Sequence, residues 1–262
     1  MGAALGLIIS GLIAPPIIGM GTHGGWRLVW IVMGLAGVII AFGFFVTARL
    51  QQAPLPSGAS AEASSTQQTL WATLRPLLLP RRLLWLSLAY FDFGGGYITY
   101  LTFFITLLEK QGVPTLYAGF VWAAIGMAAA LSAWIWGRIF DHWPTGFTVA
   151  IALAFGVCGS LAVLTNTPVA EYIGAATVGL SALIAPPIIF TVLLKRAVPD
   201  AAYAVSYSTL TAIFALGQIL GPLLGGLVIE RLGLEAGIAA SAFLLGVATL
   251  CACGYGLVQR KD

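Results

Sequence analysis

The sequence predicts an all-α polytopic membrane protein with eight transmembrane helices, and three observations carry that prediction. Hydrophobic residues make up 60% of the 262 positions and charged residues 8%, where a soluble domain carries about 25% charged residues. The apolar residues gather into eight stretches, each close to the roughly 20 residues a helix needs to cross the hydrocarbon core. The basic residues fall mostly on one side of the arrangement those stretches impose. The same figures exclude other classes. A net charge of +3, dispersed along the chain, does not suit nucleic acid. Cys158, Cys251 and Cys253 lie inside apolar runs, which argues against a disulfide framework or a metal cluster. No metal and no cofactor is expected.

The first span covers residues 2–20 and follows Met1 without a basic leader, so no signal peptide is expected. The second covers 26–48. A polar segment follows, 49–80, whose centre at 53–68 is rich in Ala, Ser and Pro and reads as a flexible linker. Arg75, Arg81 and Arg82 mark the re-entry point, where anionic headgroups hold them. Six spans complete the chain, at 82–108, 115–137, 147–165, 169–194, 204–229 and 236–257. The expected organisation is two helices (1–48), a central loop (49–80) and a six-helix bundle (81–262). With the N-terminus inside, Arg49, Arg75, Arg81, Arg82, Arg138, Lys195, Arg196, Arg260 and Lys261 face the cytoplasm. Only Arg27, Lys110 and Arg231 face out. Both termini are therefore expected to be cytoplasmic.

Two repeats stand in the chain. LIAPPII occurs at 12–18 and again at 183–189, but the first copy runs outward and the second inward. A direct duplication cannot relate them, so the exact match reads as chance. Gly11-x4-Pro16-x2-Gly19 recurs as Gly217-x4-Pro222-x2-Gly225, with Gly221 beside the second proline. These two stretches run the same way, six spans apart. The degenerate pattern is the better repeat.

Parallel repeats of six helices with sites between the halves describe the major facilitator superfamily of secondary transporters, and further motifs resemble that family. GRIFDHWPTG at 137–146 resembles its signature loop through Gly137, Arg138, Ile139, Asp141 and His142, although Pro144 and Thr145 stand where a later Gly and Arg are usual. GWRLVW at 25–30 resembles the opening of the family's sixth helix, and the Gly/Pro pattern resembles a motif of exporters. YFDFGGGYITYLTFF at 90–104 is similar to the seventh helix of the YbfB/YjiJ-type branch. In this register the eight spans correspond to helices five to twelve of twelve, and the first four family helices are missing.

The resemblance implies a secondary active transporter of a small organic solute, working by alternating access across an inner membrane, with export favoured; the acid at Asp92 adds protons as the expected coupling ion. It also leaves open a fragment or assembly subunit that does not transport alone and needs the missing N-terminal helices. An enzyme is not expected, because the only histidines, His23 and His142, stand at loops. By the same resemblance Asp141 latches onto the N-terminus of a helix in the opposite half, here the first span near Gly2–Gly6, and the Gly/Pro helices seal the seam between halves.

Residue chemistry adds a candidate site. Asp92 is the one ionisable side chain well inside a span. A carboxylate at that depth costs about 2.5–3.5 kcal/mol, so it keeps its charge only where water or a cation is near. That is the property a proton-coupling group requires. At helical spacing Asp92 shares a stripe with Gly96, Thr99, Phe103 and Thr106, a mixture that suits a cavity wall. Gly94, Gly95 and Gly96 weaken the helix by roughly 0.8–1 kcal/mol each, which fits either a broken transporter helix or close helix packing. Tyr97 and Tyr100 could offer hydroxyls to a solute, or pack as aromatics. Gln218 could contact solute or make an interhelical hydrogen bond.

Overall fold

A computed structural model describes residues 2–19, 24–50, 80–183 and 185–260. The linker at 53–68, Arg75, His23 and Lys261 lie outside the described residues. Helices follow one another as α1 (Gly2–Gly19), α2 (Gly25–Leu50), α3 (Arg81–Lys110), α4 (Thr115–His142), α5 (Gly146–Ala162), α6 (Pro168–Ala182), α7 (Ala185–Ala197), α8 (Asp200–Leu232) and α9 (Leu234–Gln259), with a 3₁₀ turn at Val163–Thr165. Among the described residues, eight spans are long and apolar enough to cross a membrane. The sixth is made of two helices, α6 and α7, where a single span at 169–194 was expected. Pro186 and Pro187 stand in the first turn of α7, where missing amide donors cost nothing because no intrahelical partner exists there.

The connections are short and explain themselves locally. Gly233 alone joins α8 to α9 with φ +93°, a conformation glycine adopts without steric cost. Gly112 does the same between α3 and α4 with φ +79°. Within the helices most hydroxyls turn back onto their own backbone. Thr99 donates to Gly95 at 2.7 Å, Ser160 to Gly156 at 2.9 Å and Thr249 to Leu245 at 2.8 Å. Such bonds satisfy a hydroxyl that lipid cannot.

Helix α3 sits at the centre, packed against α9 and α8; α9 packs on α5, α5 on α6 and α6 on α4. Glycines set the contacts. A Cβ at Gly96 would stand 2.8 Å from Leu245 of α9, and one at Gly159 2.7 Å from the Gly174 carbonyl of α6. Helix α1 lies on α4, where a Cβ at Gly11 would stand 2.6 Å from the Gly119 carbonyl. Trp122 of α4 adds a hydrogen bond, its indole N–H donating to the Ser10 hydroxyl at 3.2 Å. Helix α2 touches α1 and buries only Gly25. Its remaining surface, with Trp30 and Phe44 each 73% exposed, is apolar all round, as a lipid-facing helix must be.

The two ends of the bundle differ. At one end arginines lie over aromatic faces: Arg82 over Tyr255 at 5.4 Å, Arg138 over Trp134 at 4.0 Å, Arg196 over Phe140 at 5.6 Å and Arg260 over Phe147 at 5.4 Å. At the other, Lys110 pairs with Glu235 at 3.0 Å.

Candidate functional site

Helix α3 carries the candidate site, and it runs unbroken from Arg81 to Lys110. The three glycines are a packing surface. A Cβ at Gly94 would stand 2.9 Å from the Phe214 ring, and one at Gly95 3.3 Å from the Gly217 carbonyl. From the α8 side, Gly217 lies on Phe91, Gly221 on Gly95 and Gly225 on Thr99 and Phe103. Both series rise together, so α3 and α8 run parallel with their backbones in near contact. The stripe expected to wall a cavity is instead the seat of neighbouring helices. Gly96 is covered by Leu245, Thr99 is fully buried against Gly225, and Thr106 is exposed. Small residues at this spacing let backbones approach, and the approach itself removes the cavity.

Asp92 is half-buried on the flank of α3 that meets α9, near enough to Cys251 to interact with it electrostatically. Tyr97 stands about 140° further round the helix at 100° per residue. The structure therefore separates Asp92 from Tyr97 and Gln218. It does bring those two together: the Gln218 amide of α8 donates to the Tyr97 hydroxyl. Around this pair aromatic rings converge from three helices. Tyr90 lies 4.4 Å from Phe214 and 4.6 Å from Phe190, Phe93 lies 5.1 Å from Tyr97, and the Tyr97 ring is nearly parallel to that of Phe214 at 5.9 Å. Phe93, Phe190 and Phe214 escaped the sequence reading. The i, i+3, i+7 spacing of Tyr90, Phe93 and Tyr97 was the legible signal; that α7 and α8 would each add a ring was not. Tyr100 is fully buried, stacked on Phe104 at 4.8 Å, with its hydroxyl unpartnered.

The Gly/Pro helices pack by half their motif. Gly11 is buried, but Pro16 and Gly19 are exposed; the buried proline of α1 is Pro15, whose ring lies on Gly119. In α8, Gly217, Gly221 and Gly225 are buried and Pro222 is half-buried.

The signature motif occupies the last turns of α4. Gly137 has open space beside it, Arg138 lies over Trp134, and Asp141 is exposed. The latch is not where the resemblance puts it. Gly126 lies beside Ala4 of α1, and Asp141 follows fifteen residues later, about 22 Å along α4. The end of the motif is held from α9 instead: Gln259 accepts from the Gly146 amide at 3.2 Å and donates to the Pro144 carbonyl at 3.1 Å.

Glycine-seamed parallel helices, a lone acid deep in a span and an aromatic face with a polar pair define a polytopic helical protein of the transporter class. A family model described as an uncharacterised MFS-type transporter, YbfB, matches residues 1–256. The chain belongs to that family, and it is an integral membrane transporter of the major facilitator type. No curated protein matches the chain.

Proposed function

We propose that the chain carries a small organic solute across the inner membrane by alternating access, coupled to protons through Asp92 and directed outward. One observation supports this above the rest: a single helix, α3, presents a half-buried acid on one flank and the Tyr97–Gln218 pair within its aromatic face on another. Proton loss from Asp92 places a charge in the seam with α9, and the cheapest response is to admit water there by shifting α3. The same shift moves the aromatic face where solute stacks. Tyr97 and Gln218 then supply the few polar contacts that orient a mostly apolar ligand.

The rest of the cycle follows from the halves. The bundle at 81–262 rocks against residues 1–48, and the seam between Gly11 and Gly119 is the surface along which they part. The Gly/Pro helices favour export, and the arginine-rich end is the cytoplasmic one by the positive-inside rule.

The test is proteoliposomes holding the 262-residue chain and a pH-sensitive dye, challenged with a panel of aromatic and aliphatic solutes under an imposed pH gradient. Solute-dependent proton movement is expected, and Asp92→Asn abolishes it while membrane insertion stays normal. Gln218→Leu weakens solute affinity roughly tenfold, about 1.4 kcal/mol, without uncoupling. Proton-dependent flux that survives Asp92→Asn makes Asp92 structural, and no flux from the chain under any solute overturns the transport reading for this chain alone.

A further inference from the structure

Helix α4 carries a second surface, away from the aromatic face, that ends among the arginines. At 100° per residue, Met127, Leu131, Trp134, Arg138 and His142 fall within about 80° of arc. All five are exposed, so one strip runs apolar through the span and turns basic at its end. The helices packed on α4 take its other sides: Ser132 and Trp136 bond to α7 and α6, and Gly119 and Gly126 meet α1. From Met127 to Arg138 the strip rises about 16 Å, the depth of one leaflet in a hydrocarbon core about 30 Å thick. A cavity of about 380 Å³ opens where the strip turns basic, lined by Arg138, Ile139, His142 and Trp143. The Arg138 guanidinium is held 4.0 Å over Trp134, and among the described residues no carboxylate pairs with it. Asp141 is exposed on the next flank and does not line the cavity. His142 Nδ1 donates to the Arg138 carbonyl at 2.8 Å, which leaves Nε2 of the neutral ring as an acceptor. Trp143, 66% exposed, adds an indole N–H donor of the kind that sits at a membrane–water interface.

We propose that this strip and cavity bind one phospholipid with an anionic, hydroxyl-bearing headgroup, of which phosphatidylglycerol is the simplest. The lining selects the anion: it carries a guanidinium and no carboxylate, and a guanidinium held in place offers a phosphodiester two parallel N–H donors. His142 Nε2 accepts from a headgroup hydroxyl, a donor that a choline headgroup lacks. The acyl chain lies along Trp134, Leu131 and Met127. That apolar strip makes the occupant a lipid and not a free phosphate, because a soluble anion gains the guanidinium alone. The site stands independently of the transport cycle above.

Native mass spectrometry of the full chain released from detergent micelles is the test, with phosphatidylglycerol and phosphatidylcholine of identical acyl chains as probes. The first phosphatidylglycerol is expected to bind at least tenfold more tightly than the first phosphatidylcholine. Arg138→Gln loses that tenfold, Arg138→Lys keeps part of it, and His142→Leu loses a smaller share. Arg27→Gln leaves the preference unchanged, although Arg27 also lies over a ring, that of Trp26 at 4.9 Å. Glycerol phosphate in solution does not displace the lipid. Equal binding of the two lipids, a preference indifferent to both Arg138→Gln and His142→Leu, or an equal loss in Arg27→Gln overturns the proposal. Displacement by glycerol phosphate does so too, because it would leave the apolar strip without a role.

Discussion

Residues 12–18 and 183–189 spell the same seven letters, and the molecule folds them differently. In the first copy α1 continues through both prolines. In the second α6 ends at Ala182 and α7 restarts at Ala185. The burial pattern is nonetheless shared: the leading proline, Pro15 or Pro186, is buried, and the trailing one, Pro16 or Pro187, is less so. What differs is the partner, and both partners are on α4. Gly119 has no side chain, so the Pro15 ring and the Gly11 carbonyl close directly onto its backbone. That carbonyl lacks its usual amide at position 15. Ser132 offers a hydroxyl instead, which accepts the Ala185 amide at 3.2 Å and caps a new helix start. Two prolines determine which donors are missing; the helix opposite determines whether the chain runs on or begins again.

The strongest way to break the comparison is Gly119→Leu. The new side chain has no space beside Pro15 and Gly11, so α1 should lose its seat at a cost of about 3 kcal/mol, while the α6–α7 region is untouched. Unfolding in mixed detergent micelles measures the first effect, and a disulfide engineered between α4 and α7 that still forms confirms the second. Next in size are the prolines of α1. Pro16→Ala restores an amide for Leu12 and loses no packing, so it should stabilise by up to about 3 kcal/mol. Pro15→Ala restores one for Gly11 but empties the contact with Gly119, so it should gain distinctly less. Equal gains would mean that the Gly119 contact carries no energy. The smallest effect is expected at the second copy. Ser132→Ala leaves the Ala185 amide unpaired, and interhelical bonds of this kind in membranes are worth about 0.6–1.7 kcal/mol. A loss of that size in Ser132→Ala, absent in Ser208→Ala, whose exposed hydroxyl donates to the Ala204 carbonyl of its own helix, would show that the hydroxyl sustains the second helix start.

Much of the fold was legible because its cause is local. Eight apolar stretches, their lengths and the clustering of basic residues need no knowledge of what lies across the interface. The break before Ala185 was not legible as two helices, since its stabilising partner, Ser132, lies more than fifty residues away. The site was legible in pieces. Asp92 announces itself as an acid in an apolar run, and Gln218 and Tyr97 as polar groups in spans. Their pairing was not readable, nor was the separation of Asp92 from them, because α8 chooses its rotation about α3 through Gly217, Gly221 and Gly225.

By itself the sequence determined the class, the spans and their alternation, since hydropathy and charge act residue by residue against a planar solvent. It also placed the glycines that permit close approach. Tertiary structure alone decided which backbone meets each glycine, which proline is buried, and which polar groups face one another. Those outcomes depend on the backbone gap left by one helix being filled by another distant in the chain, and no local pattern contains that match.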